Sequence, residues 1–378
     1  MNPAPSSAVS RPGGGARDRL LIVGTFLSVS KSTRSVCEDL AARLSENGWD
    51  VTTASRRISR ADRLLDMVWT AWRKRRLYDV AQVDVYSGPA FLWAEIVCWV
   101  LRRARKPYVL TLHGGGLPEF AVRWPGRVRR LLRSAAFVTS PSRYLCERLR
   151  FLGVAVAMLP NPIDVRRYAF RTRRPARCEL VWLRAFHRIY NPALAPRVLS
   201  ILSREFPDAR LTMIGPDKGD GSLAETCRVA SELGVSDRTI FAGGIEKDDV
   251  SAWLDRGDVF LNTTNVDNTP ISVLEAMASG LCIVSTNVGG LPYLLDDGRT
   301  ALLVGPDDPI GMATAVRRVL AEPELSERLS RNARQVAETF DWAAVLPEWE
   351  LLLRGVAHSG AHAERSSRAM GEGRDGEI

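Results

Sequence analysis

Short runs of Val, Ile and Leu alternate with longer amphipathic segments along most of the chain. A strand that is apolar along its whole length has to be covered on both faces, so the alternation predicts parallel sheets flanked by helices. Strands are expected at 19–23, 50–53, 80–86, 107–112, 137–140 and 155–159 in the first half, and at 180–183, 211–214, 239–242, 259–262, 282–285 and 301–304 in the second. Helical periods fall between them, for instance at 33–47, 89–103 and 142–151. Residues 161–175 are polar, carry Pro and Arg, and keep no apolar period, so they read as a join between domains. The predicted class is α/β, with two Rossmann-like domains facing across a cleft. Ligands in such sheets sit at the carboxyl ends of the strands. The expected boundaries are 1–18 for a disordered tail, 19–165 and 176–340 for the two domains, 341–357 for a helix packing back on the first domain, and 358–378 for a second disordered tail.

Composition narrows the class. At 378 residues, 46% hydrophobic and 25% charged, the chain is too long for one small domain and too apolar to be disordered. The net charge of +9 conceals an asymmetry: residues 1–174 hold 31 basic and 13 acidic side chains (+18), leaving −9 for the remainder. A basic half joined to an acidic half suggests two tasks, one of them facing an anionic surface or ligand. Arginine supplies 47 of the 52 basic residues, a bias that genome composition also produces. The six cysteines stand singly, which indicates neither a zinc site nor a disulfide framework and suggests buried thiols in a reducing, cytoplasmic setting. Residues 1–19 lack the apolar core of a signal peptide, and the most apolar helical stretch, 91–101, contains Glu95 and is about half the ~20 residues a spanning helix needs. A soluble chain, or one bound only at a membrane surface, is expected.

The densest chemistry lies between Asn262 and Gly290, NTTNVDNTPISVLEAMASGLCIVSTNVGG. A strand ends at Asn262, a polar loop follows, and Pro270 opens an apolar helix. Asp267 and the N–H groups near Ile271 thus meet at a helix N-terminus, whose unpaired donors and positive partial charge suit a phosphate. Glu275, one turn on, has the chemistry to accept two sugar hydroxyls if buried. The alternative, equally weighted on spacing alone, is that Asp267 caps the helix and Glu275 faces solvent. His113, in TLHGGG, ends a strand ahead of three glycines that permit close backbone approach; a capping or core histidine is the other reading.

The stretch DNTPISVLEAMASGLCIVSTNVGGLPYLLDDGRTALLV resembles the donor-site signature of the retaining GT-B glycosyltransferases of family four, with acidic residues eight positions apart, here Asp267 and Glu275. The resemblance extends through LPNPID, LTMIGPD, TIFAGGIEKDDV and TFDWAAV and covers most of residues 19–354. It implies a GT-B fold whose first domain binds the acceptor and whose second binds a nucleotide-sugar donor. It implies that Glu275 binds the ribose, that Asp267 and His113 meet the donor sugar, and that Asn268, Thr269, Pro270 and Ile271 face sugar and phosphates. Gly215 and Ile245 fall in matching donor-side segments. Arg184 matches the family's diphosphate-binding Arg. Ile189 stands where the family has Lys, with Arg188 the nearest replacement or else an ordinary surface charge. Asp267 replaces a longer Glu. In the opening loop, Lys31 and Ser32 stand where relatives often carry a Gly-Gly pair and are assigned to acceptor or phosphate.

The implied activity is retaining transfer of a sugar from UDP- or GDP-sugar to a hydroxyl acceptor, in polysaccharide or glycolipid synthesis, with no metal and no cofactor. Two alternatives remain: a degenerate GT-B protein that binds without transfer, and a sugar-nucleotide epimerase. The Arg-rich, aromatic segments 69–77, 100–106 and 123–133 suit either an anionic bilayer, at the inner membrane face beside a lipid-linked acceptor, or a solvated helix face. No recognised module for nucleic acid accompanies them.

Overall fold

The computed structural model describes residues 17–26 and 35–372. All twelve expected strands are present, their ends within two residues of the positions read from the apolar runs. The first six are β1 Arg19–Val23, β2 Asp50–Ala54, β3 Val80–Val85, β4 Tyr108–Leu112, β5 Phe137–Ser140 and β6 Ala157–Met158, in the order β2-β1-β3-β4-β5-β6. The second six are β7 Glu179–Leu183, β8 Arg210–Ile214, β9 Thr239–Gly243, β10 Val259–Asn262, β11 Cys282–Thr286 and β12 Ala301–Val304, in the order β12-β11-β10-β7-β8-β9. Every pairing is parallel.

In both sheets the chain winds one way from a central strand and then the other. The reversal lies between β1 and β3 in the first sheet and between β7 and β10 in the second. At such a reversal the connections diverge above the strand ends and leave a crevice open to a ligand. The pleat explains the two cores of the first domain. Leu21 and Val23 pack with Met67, Phe91, Val97 and Leu131, so helices Arg60–Arg73, Pro89–Arg103 and Pro125–Arg133 cover one face. Leu20 and Ile22 point the other way, onto Leu40 and Leu44 of helix Val36–Glu46. That second face also receives Trp342, Val345, Trp349 and Leu353 from the C-terminal helix, which ties the end of the chain to the first domain.

Two segments depart from the sequence reading. The C-terminal helix runs from Trp342 to Glu372, so residues 358–372, expected as tail, continue as helix. Elongation is cheap once the first turns are pinned, and Ala, Glu and Arg in this stretch favour it. The join at 161–175, polar in sequence, is packed in the structure: Ile163, Val165, Tyr168 and Arg173 are buried along it. Arg171 donates to the fully buried carboxylate of Asp258 at 2.7 Å and Arg177 does so at 3.0 Å, which clamps the crossing chain onto the second domain. Among the described residues no helix is long and apolar enough to cross a membrane.

Candidate functional site

At the reversal of the second sheet, β7 delivers Arg184 and β10 delivers the loop leading to Asp267. Arg184 donates to Asp267 Oδ2 at 2.6 Å, and its guanidinium lies 4.4 Å from the Tyr190 ring centroid. Contact on two sides leaves the fork little rotational freedom. Burial pushes the Asp267 carboxyl above its ordinary value, while the Arg184 charge and the Asn268 N–H draw it back. Asp267 is not a helix cap: the helix begins at Ile271, and both carboxylate oxygens are already engaged.

Backbone packing around this pair requires glycine. A Cβ on Gly215, whose φ is +146°, would lie 1.8 Å from the Arg184 carbonyl oxygen, and one on Gly290 would lie 1.8 Å from that of Asn268. These close approaches bring three loops into one wall. Gly289 and Gly290 belong to the quoted motif without a role in the sequence reading; the available signal is a Gly-Gly pair with two residues between it and a buried strand.

Helix Ile271–Ala278 is buried on every side. The first-turn N–H groups of Ile271 and Ser272 lack helical partners by position, and both residues line a cavity of about 1050 Å³ between the domains. Glu275 lines the same cavity and accepts from Tyr168 Oη at 2.8 Å. Burial pushes its carboxyl up, opposed by the Tyr168 hydroxyl and by the charges of Lys247 and Arg184. Glu275 therefore does not face solvent. Its partner Tyr168 comes from the join, a segment whose polar character gave no hint of a buried aromatic. Gly215 and Ile245 also line the cavity.

His113 follows β4 in the first domain, and its Nε2 lies 3.0 Å from Asp84 Oδ1. Asp84 is held in turn by the Gln82 amide, which donates to it and to Thr111, each at 2.8 Å. Tyr86 stacks on the imidazole at 5.1 Å. An acidic residue inside the apolar run of β3 was the available sign of Asp84. The loop after His113 meets the second domain: a Cβ on Gly115 would lie 3.3 Å from Val266 Cγ1, and Thr269 Oγ1 donates to the Pro141 carbonyl at 3.3 Å. The His113 and Asp267 loops thus close over one edge of the cleft.

Arg188 is not brought into this assembly. Its side chain is 78% exposed beside Asp220, whose carboxylate accepts the Arg188 N–H at 2.8 Å. The short turn Arg188–Tyr190 sets its direction, and sequence spacing from Arg184 carries no information about that turn. Instead the cavity receives Lys218 and Lys247. Lys31 and Ser32 lie outside the described residues.

The family description Glycosyl transferases group 1 matches residues 180–336, and Glycosyltransferase Family 4 matches residues 34–167. Glycogen synthase of Mycobacterium tuberculosis is 31% identical over 193 residues, 50% of this chain and 46% of that protein. D-inositol 3-phosphate glycosyltransferase of Streptomyces avermitilis is 29% identical over 302 residues, 73% of this chain and 65% of that protein. The chain thus spans about half to two thirds of the length of these curated relatives. Among solved structures, sucrose-phosphate synthase of Thermosynechococcus elongatus superimposes with a TM-score of 0.71 at 18% identity, covering 91% of this chain and all of that one. HepE of Anabaena, in complex with UDP, gives 0.70 at 14%, covering 89% of this chain and all of that one. These likenesses show the fold.

Proposed function

From the premise that this chain belongs to the group 1 glycosyltransferases of GT-B fold, we propose that it transfers a sugar from a UDP- or GDP-linked donor to a hydroxyl acceptor, with retention at the anomeric carbon. The observation that carries the reading is the meeting of three features in one cavity: the Ile271 helix N-terminus, Arg184, and a buried carboxylate, Glu275. The N–H groups and the guanidinium suit a diphosphate. Glu275 suits the paired hydroxyls of a ribose. In transfer the bond from the anomeric carbon to the diphosphate oxygen breaks, the acceptor oxygen bonds to that carbon, and the hydroxyl proton passes to the departing phosphate. Negative charge grows on the leaving group, and preorganised donors aimed there lower the barrier without reorganising. His113 and Asp267 frame the sugar from the two sides of the cleft. The chain's own donors carry this chemistry, and no metal or cofactor is given a part in it.

Incubation with a panel of nucleotide sugars, with and without sugar and lipid-linked acceptors, tests the reading. Transfer, or slow release of free nucleoside diphosphate, is expected. One observation favours a second reading: Arg188 lies outside the cavity on Asp220, which weakens the expected cation set. Donor binding without turnover supports that degenerate, binding-only protein, and an isomerised donor sugar supports an epimerase.

The acceptor reading includes a membrane, met at the inner, cytoplasmic face. The helix face formed by Arg60–Arg73 and Pro89–Arg103 leaves Leu65 and Trp69 about two-thirds exposed and Trp72 and Trp99 about half exposed. Arg75 lies over Trp72 and Arg103 over Trp99, a pairing of aromatic ring and cation suited to an interfacial layer. Each basic residue near an anionic surface adds roughly 1 kcal/mol. Sedimentation with vesicles of phosphatidylcholine alone or mixed with phosphatidylglycerol is expected to show binding only to the mixture, weakened in a Trp69→Ala/Trp99→Ala variant. Equal binding to both vesicles removes the membrane from the reading and leaves a solvated Arg-rich face.

A further inference from the structure

We propose that Lys218 supplies the second cation for the donor diphosphate, a part for which the family resemblance offered Arg188 as the nearest replacement, with a plain surface charge the other reading. The inference rests on the donor-site reading above and concerns the charge balance of that cavity. Five basic side chains line it: Arg43, Arg167, Arg184, Lys218 and Lys247. Four are already neutralised. Arg43 is bonded to Asp164 at 2.9 Å, Arg167 to Asp248 at 2.6 Å, Arg184 to Asp267 at 2.6 Å, and Lys247 to Asp39 at 2.8 Å. Lys218 alone of the five has no ion pair among the described residues. The walls also carry the carboxyl groups of Asp39, Glu46, Asp164, Glu246, Asp248 and Glu275, so a ligand with two or three phosphate charges enters a cavity with no surplus of positive charge. An unpaired ammonium at its mouth is therefore where a diphosphate finds a full, uncontested charge. An already paired cation has to be shared with its carboxylate.

Backbone geometry ties Lys218 to Arg184. Beyond the Leu183↔Ile214 register of β7 and β8 the two chains stay paired: Arg184 N–H donates to the Ile214 carbonyl at 3.0 Å, Phe186 N–H to that of Pro216 at 2.9 Å, and Lys218 N–H to that of Phe186 at 3.1 Å. With Gly215 pressed against the Arg184 carbonyl, the two cations ride on one interlaced pair of loops beside the crevice. A flexible four-carbon stem with three rotating donors suits a residue at the mouth that has to follow phosphate in and out. Arg188, two positions past this paired stretch, is turned away onto Asp220.

Calorimetric titration with UDP, GDP and the corresponding nucleosides tests the assignment. In Lys218→Met, affinity for the nucleoside diphosphate is expected to fall roughly tenfold while nucleoside affinity stays as in the wild-type protein, because a charge-assisted bond to phosphate is lost and the base and ribose contacts are not. Lys218→Arg is expected to retain diphosphate affinity within about threefold, and the salt dependence of binding is expected to flatten in Lys218→Met only. Lys218 is exposed, so unchanged thermal unfolding is expected to accompany the loss. Equal loss for nucleoside and diphosphate would assign Lys218 to the base and overturn the proposal, as would undiminished diphosphate affinity. If the wild-type protein binds neither diphosphate, the donor-site reading fails first, and the inference falls with it by a separate result.

Discussion

Replacing Arg184 by alanine is expected to lower turnover by about 100- to 1,000-fold, the range seen when one preorganised donor to a developing negative charge is removed. The guanidinium is fixed between the Asp267 carboxylate and the Tyr190 ring before any donor arrives, so the ordering cost is already met in the folded protein. A lysine keeps the charge but loses the planar fork and the stacking, so Arg184→Lys is expected to recover only part of the activity. The structure adds a complication that the residue pattern alone did not reveal. Asp267 is nearly buried, and its carboxyl is already pushed up by desolvation, with Arg184 the main opposing charge. Arg184→Ala therefore orphans a buried carboxylate, and part of its effect is the cost of that orphan. A double variant, Arg184→Ala/Asp267→Asn, separates the two contributions. Stability is expected to recover in the double variant while turnover stays low. Steady-state kinetics and thermal unfolding read the two quantities independently. Wild-type turnover in Arg184→Ala would remove the residue from the diphosphate site.

Most strands were legible because a strand buried on both faces is a nearly uninterrupted apolar run, as in β1, β4, β10 and β11, and most runs here are flanked by Gly, Pro, Asp or Asn. Arg184 and His113 were legible for the same reason, since a polar residue just past such a run stands at a strand's carboxyl end, and Asp267 was legible from its place in the loop between β10 and the Ile271 helix. What the chain order left hidden depends on side-chain direction and on contacts distant in sequence. Tyr168 reaches Glu275 across more than a hundred positions. Arg188 departs from its expected place because a single short turn sends it outward onto Asp220, while Lys218, two positions past Pro216 on a loop paired by backbone bonds with the Arg184 loop, lines the cavity instead. Asp84 is hidden differently: its position in β3 is plain, but only the neighbouring β4 shows that it faces His113. The charge asymmetry acquires a structural division as well. Much of the basic surplus sits on the exposed helices of the first domain, whereas four of the five basic side chains lining the interdomain cavity are held in ion pairs.

Glu275→Gln is expected to separate binding from stability. The wild-type carboxylate is enclosed by its helix and the cavity wall, and burial raises its pKa above the ordinary carboxyl value of 4.5. A raised native pKa means that the folded protein holds this proton more tightly than the unfolded chain. The group's contribution to stability is then most favourable at low pH, declines as pH rises from the ordinary value through the raised one, and stays lower above it. Glutamine removes that ionisation while its amide oxygen still accepts from Tyr168, so the variant is expected to be at least as stable as wild type near neutral pH, with the wild-type decline above pH 4.5 reduced. Nucleotide binding is expected to move the opposite way. A carboxylate accepts two hydroxyl protons, whereas an amide offers one acceptor and a donor that opposes the second hydroxyl, a loss of about 1.5–3 kcal/mol or roughly 10- to 100-fold in affinity. Thermal unfolding with and without saturating UDP or GDP reads both effects, since a ligand that binds only the native state raises the midpoint according to its affinity. The wild-type midpoint is expected to rise with nucleotide, and that of Glu275→Gln to start as high or higher and rise less. An equal rise in both proteins would take Glu275 out of the ribose site, and a variant less stable than wild type at neutral pH would make the buried carboxylate a structural support instead of a group held at a cost for binding.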